Sequence, residues 1–163
     1  MSPFRFPRQV PHRIPRLVAA QVVILGALPP LVDHSWPLGI LVLDFALRAL
    51  IAPRLSPLAR VARFVGARIP GGPGTPIAYA PKRFAATVGL VFFSAAWVLH
   101  LFPETRLLGQ AVAAVVVLLA SLEALFGFCV GCRIHGELVR AGLLREPPCP
   151  TCEVPRRSPR STF

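Results

Sequence analysis

Charge is scarce in this chain. Of 163 residues only 15% are Asp, Glu, Lys or Arg, while 54% are hydrophobic; an average soluble protein carries roughly 25% charged residues. A soluble fold of this size could not hide so much apolar surface. Acid is scarcer still, with seven Asp and Glu against 18 Lys and Arg, a net charge of +11. Lysine occurs once, at Lys82. No phosphate loop, dinucleotide fingerprint, Ser/His/Asp set or internal repeat stands out. A charge of this size first suggests nucleic acid. Its distribution excludes that partner, because the arginines lie between long apolar runs instead of on one soluble face. The Arg-rich, Lys-poor, Ala/Val/Pro-rich composition matches a GC-rich bacterial genome.

What the chain has instead is oil-soluble sequence. About 20 mostly apolar residues cross a bilayer, and the expectation is an all-α integral membrane protein with about four spans, near 16–32, 36–52, 84–102 and 107–130. The last two runs are the cleanest. Phe84 to Phe102 contains only Thr87, Ser94 and His100 as polar residues, and Leu107 to Val130 only Gln110, Ser121 and Glu123. Pro103-Glu104-Thr105-Arg106 joins them as a tight turn. The first run ends early at Pro29-Pro30, and the second carries Asp44 and Arg48, so a re-entrant pair is the rival reading there. A basic stretch before an apolar run also resembles a signal peptide. Pro29-Pro30-Leu31-Val32 is a poor cleavage sequence, and the run reads as a retained helix.

Basic residues collect on the cytoplasmic side of membrane proteins. Here they sit in the N-terminal tail (Arg5, Arg8, Arg13, Arg16), the central loop (Arg54, Arg60, Arg63, Arg68, Lys82, Arg83) and the C-terminal region (Arg133, Arg140, Arg145, Arg156, Arg157, Arg160). The other two loops hold Arg106 alone. Two hairpins place every basic segment in the cytoplasm, with both termini, and leave Trp36 and Trp97 near the outer boundary, where an aromatic belt belongs. In the central loop Ser56-Pro57 reads as a helix start. Leu58, Val61, Phe64, Val65 and Ile69 then recur at helical spacing, off the line of Arg60, Arg63 and Arg68. This predicts an amphipathic helix on the inner surface. Gly71-Gly72-Pro73-Gly74 breaks it. The membrane domain is expected over 1–145 and a Pro/Arg-rich, disordered cytoplasmic tail over 146–163.

Four cysteines form two pairs, Cys129-Val-Gly-Cys132 and Cys149-Pro-Thr-Cys152. The cytosol keeps thiols reduced, which leaves redox or sulfur-transfer chemistry, a metal site, or inert thiols. For redox chemistry the attacking sulfur must be a thiolate. Cys129, read as the end of the fourth span, faces the negative end of a helix dipole. Cys132 is read near the start of a short helix, beside Arg133 and three residues before His135, and is the expected attacker. The metal reading makes Cys129, Cys132, Cys149 and Cys152 a four-cysteine zinc site. No other cofactor is expected.

Ionisable residues inside a span face a partner or a cavity. Asp44 and Arg48, four apart, read as a pair on one helix face. Glu123 has no local partner, and Gln21, Arg48, Gln110 or His100 are candidates to meet it. Small residues four apart (Gly127/Gly131, Ala120/Ala124, Ala85/Gly89) let helices approach closely.

Gly127-Phe128-Cys129-Val130-Gly131-Cys132 at the end of an apolar helix is the most distinctive string. It resembles the Gly-Phe-Cys-Leu-Gly-Cys ending of a bacterial membrane family, domain of unknown function 4395. The Arg-rich entry to the first span (Arg13 to Gln21) and Pro81-Lys82-Arg83-Phe84-Ala85 fit the same resemblance, which covers roughly residues 10 to 144. The family carries no established activity. Its members resemble small four-span proteins, often encoded near thioredoxin-like or sulfurtransferase proteins. That implies thiol or sulfur chemistry at Cys129 and Cys132, on the inner membrane face, with such a protein as partner. The sequence leaves two alternatives: a non-enzymatic membrane scaffold with a zinc-clamped tail, or a small-solute transporter component, for which four spans would need an oligomer.

Overall fold

The computed structural model describes residues 9–32, 34–70 and 76–144. Arg5, Arg8, Asp33, the Gly-Pro break after position 70 and the tail 146–163, with Cys149 and Cys152 of the four-cysteine zinc reading, lie outside the described residues.

The longest helices are those whose apolar runs are unbroken. α5 (Ala80–Leu101) has 22 residues and α6 (Arg106–Phe126) has 21; at 1.5 Å per residue each is about 31–33 Å, enough for a hydrocarbon core of roughly 30 Å. A 3-10 turn, Pro103–Thr105, joins them. α1 (Arg13–Ala27) and the single turn α2 (Pro29–Val32) make the third apolar segment, Arg13–Val32. Pro15 falls in its first turn, where a missing N–H costs nothing. Three helical segments among the described residues are therefore long and apolar enough to cross a membrane, where the sequence predicted four. The second predicted span is shorter. α3 (Trp36–Ala46) has 11 residues and runs on into five π-helical ones, Leu47–Ile51, together roughly 24 Å.

α4 (Pro57–Gly66) starts where Ser56-Pro57 predicted. Ser56 Oγ accepts the Ala59 N–H at 3.0 Å, and Pro57 takes the first helical position. The expected apolar stripe divides, however. Leu58 is buried with Ala59 and Ala62, while Val61, Phe64, Val65 and Ile69 are exposed. Gln21 of α1 donates to the Leu58 carbonyl at 3.1 Å and so ties α4 to the bundle. A small antiparallel ladder, β1 (Gln9–Pro11) with β2 (Pro76–Ala78), links the entries to α1 and α5. α7 (Val130–Arg140) closes the described chain.

The core lies where α1, α3, α5 and α6 meet, around Val22, Leu38, Leu41, Phe45, Phe93 and Ala113. The Phe45 and Phe93 rings are 5.2 Å apart. Side-chain contacts fix the relative directions. Arg16 at the start of α1 donates to the carbonyls of Ala124 and Leu125 at the end of α6. Tyr79 and Arg83, at the start of α5, donate to the carbonyls of Arg48 and Ala49 at 3.0 Å each. These donors satisfy helix-end carbonyls that have no partner within their own helix. The starts of α1 and α5, the ends of α3 and α6, and helices α4 and α7 thus share one end of the bundle. Trp97, with its ring against Gly39, lies toward the other.

Candidate functional site

The site begins with a break in the chain that hydropathy does not reveal. Gly127 adopts φ +70°, the left-handed conformation, and its N–H reaches the Glu123 carbonyl at 2.9 Å. That geometry terminates a helix, and glycine adopts it without steric cost. α6 therefore stops at Phe126, four residues before the predicted span end, and α7 starts at Val130. Cys129 is the residue before α7, and its Sγ accepts the Cys132 N–H at 3.4 Å. The sequence placed Cys129 at the negative end of a helix dipole. It lies instead at the positive end of the next helix.

The thiols separate accordingly. Cys129 is held below the ordinary cysteine value, first by a hydrogen bond from the Cys132 thiol; the Lys82 charge and the Cys132 backbone N–H also lower it, while burial and Glu123 oppose. Cys132 is pushed up by its hydrogen bond to Cys129, by burial and by the neighbouring Cys129 charge. Cys129 is half-buried and Cys132 buried. The sequence expected Cys132 as the attacking thiolate; in the structure Cys129 caps α7 and Cys132 lies buried behind it.

Gly131 explains the other glycine of the string. A Cβ there would stand 2.6 Å from the Ala85 Cβ, so α7 rests directly on α5. The predicted helper His135 is buried in this contact, its ring 5.5 Å from that of Phe84. Arg133 lies over the Phe128 ring. The charges that reach the thiols come from elsewhere: Lys82 in the first turn of α5 and Glu123 in the last turn of α6. These two form an ion pair. Lys82 was counted only as a basic loop residue, and it is the partner Glu123 lacked in the sequence. Gln21 is engaged with Leu58 instead, Arg48 with Asp44, and His100 and Gln110 lie toward the far ends of their helices.

Asp44 and Arg48 pair as their spacing predicted, at 2.7 Å. Asp44 is completely buried and does more than pair. Its Oδ1 accepts the Ser56 hydroxyl and the Leu58 N–H at 3.1 Å, so the carboxylate fixes the start of α4. Tyr79, above this cluster, is pushed up to about 12 by burial and stays a protonated donor.

Beneath the thiols a cavity of about 330 Å³ extends between α1, α5 and α6. Cys129, Lys82 and Glu123 line one end, joined by Arg48, Arg54 and Arg63; Val22, Val88, Phe92 and Val115 line the body. Among the described residues no three His, Cys, Asp or Glu side chains gather as a metal-ligand set. Cys129 and Cys132 are the half of the zinc reading that the structure describes.

The family model described as Domain of unknown function (DUF4395) matches residues 10–140. The chain belongs to this family. The match takes in the Gly127–Cys132 string, Lys82 and Glu123 together. Neither a curated protein nor a solved structure matches the chain.

Proposed function

We propose that this DUF4395 protein is a multi-pass protein of the bacterial inner membrane that serves thiol–disulfide exchange or sulfur transfer. Cys129 attacks and Cys132 resolves. The observation that supports the reading is the geometry of the pair at the start of α7: Cys129 is half-buried, lines the cavity and accepts the Cys132 N–H at its Sγ, with Cys132 buried behind it. In exchange, the Cys129 thiolate attacks a partner disulfide, whose bond breaks as a mixed disulfide forms and one partner thiolate leaves. Cys132 then gives up its proton and attacks the Cys129 sulfur, and the second partner thiolate departs. Run backwards, the same steps hand a disulfide to a partner. A thioredoxin-like or sulfurtransferase protein is the partner class that the family resemblance favours.

Three long apolar helices support the membrane assignment. In the proposed topology the shorter α3 and its π-helical turn serve as the return crossing, and the basic end shared by the start of α1 and by α7 is assigned to the cytoplasm. α4, with Val61, Phe64 and Val65 exposed beside Arg60 and Arg63, suits the interface there. The transporter alternative draws little from the polar residues, since Asp44 and Arg48 pair and hold α4, and Glu123 pairs with Lys82.

The test is trapping. A Cys132→Ser variant should accumulate mixed disulfides through Cys129, and a Cys129→Ser variant should not. If neither thiol reacts with an alkylating reagent near neutral pH in the native protein, the reading fails. Elemental analysis of the same sample addresses the scaffold alternative, which requires about one zinc per chain, lost on mutating Cys149 or Cys152.

A further inference from the structure

The cavity under Cys129 has an unusual distribution of chemistry. Its polar groups are gathered at one end, around Cys129, Lys82 and Glu123, and its body is hydrocarbon. Phe92 lies along α5 from Lys82 by about 15 Å of helix rise, and Val115 precedes Glu123 on α6 by about 12 Å, so the cavity runs well into the span. Phe92 and Val115 are also exposed on the flank of the bundle, at 43% and 53%. The cavity therefore opens sideways, toward where lipid tails would lie. Its volume of about 330 Å³ falls at the lower end of small-molecule sites, roughly 300–1,000 Å³. An occupant must have a compact head that accepts hydrogen bonds and an apolar tail, and it enters from the bilayer.

The thiols narrow the choice. Cys132 does not line the cavity, whereas Cys129 does, so the reactive sulfur faces the occupant with its resolving partner behind it. The cytosol keeps dithiols reduced, and renewing the disulfide there requires a two-electron acceptor from another phase. Resting on the thiol-exchange reading above, we infer that the cavity binds a lipid-soluble quinone, with its ring at Cys129 and Lys82 and its tail between α5 and α6, and that this quinone oxidises the Cys129–Cys132 dithiol. The Lys82 ammonium donates a hydrogen bond to a ring carbonyl. The Cys129 thiolate adds to the ring, and Cys132 attacks the Cys129 sulfur. The S–S bond forms as the sulfur–ring bond breaks, and its electron pair returns to the ring. The two protons lost by the thiols end on the two quinone oxygens. In sum, one dithiol and one quinone give one disulfide and one hydroquinone. An anionic lipid headgroup would also suit Arg48, Arg54 and Arg63, but it makes no use of a thiol at the cavity's end.

The experiment uses the full chain, reduced and placed in lipid nanodiscs, with decylubiquinone as the probe. Quinone absorbance and alkylation-coupled mass spectrometry are followed together. The expected result is one hydroquinone and one Cys129–Cys132 disulfide per chain, both lost in Cys129→Ser and in Cys132→Ser. Val115→Trp, which fills the cavity from its exposed rim, should slow the quinone reaction at least about tenfold while diamide, a small soluble oxidant, still forms the disulfide at the normal rate. A thermal unfolding midpoint in the nanodisc equal to that of the native chain shows that the variant is folded. If diamide closes the disulfide in the native chain and the quinone leaves it reduced, the quinone inference is overturned and the thiol reading stands. If the quinone oxidises Val115→Trp as fast as the native chain, the cavity is not its site. If no oxidant joins Cys129 to Cys132, both readings fall.

Discussion

Two residues show how position sets chemistry here. Cys129 draws its acidity from the Cys132 thiol, the Lys82 charge and a backbone N–H, each of which stabilises the ionised form. A lowered value means that the thiolate persists to lower pH than in a free cysteine, whose value is about 8.5. The alkylation rate of Cys129, followed by peptide mass mapping, should therefore reach half its maximum at a lower pH in the folded protein than in the unfolded chain, while Cys132 stays unmodified. Cys132→Ala removes the thiol that donates the largest lowering hydrogen bond and should move the midpoint back up. Asp44 is the second case. Removing one partner of a buried ion pair costs about 3–5 kcal/mol, and here the same carboxylate also anchors Ser56 and Leu58. Asp44→Ala should lower the thermal midpoint in detergent sharply. Asp44→Asn, which keeps an acceptor for the Leu58 N–H, should lower it less.

At the scale of elements, the central event is the stop and restart around Gly127. Hydropathy ran the fourth span through to Val130, because Phe128 and Val130 are as apolar as the helix before them. A backbone turn leaves no trace in hydropathy. The glycine itself was the available signal, as the residue that ends helices in the left-handed conformation. Gly127→Ala should cost about 1–2 kcal/mol, the penalty of a left-handed residue with a Cβ, measurable as a loss of thermal stability. Gly131→Val acts differently. It drives a branched side chain into Ala85 and should lift α7 off α5, which separates Cys129 from the Lys82 charge. The readout is a Cys129 alkylation midpoint moved toward the ordinary value. α4 was legible to the residue, because Ser56 and Pro57 are local signals. The Lys82–Glu123 pair was not, since its partners are 41 positions apart and meet only through the packing of α5 on α6.

At the scale of the molecule, the two unbroken apolar runs were plain in the sequence and became α5 and α6. The second run was harder to read, because apolar density reports a buried helix and a spanning one alike. α3 is short and buries one face, with Leu38 and Leu41 wholly inside. The distribution of arginine foretold the shared basic end, but part of that charge is structural: Arg16 and Arg83 close the ends of neighbouring helices. Single cysteines placed at Arg60 or Arg140 in a Cys-free background should be shielded in intact cells from a membrane-impermeant maleimide, and one at Glu104 should be labelled. Labelling of the first two would invert the orientation and move the native thiols to the oxidising side.

The π-helical turn at Leu47–Ile51, closed by the Ala52 N–H on the Leu47 carbonyl at 2.8 Å, holds one residue more than an α-helical ladder needs. Deleting Leu50 would remove that slack. The Ala52 N–H would then meet the Leu47 carbonyl as in an ordinary α-helical turn, and the residues after it would keep their register, so that Ser56 still meets Asp44. A one-residue deletion inside a packed helix, ordinarily severe, should at exposed Leu50 leave the surface helix docked on the bundle.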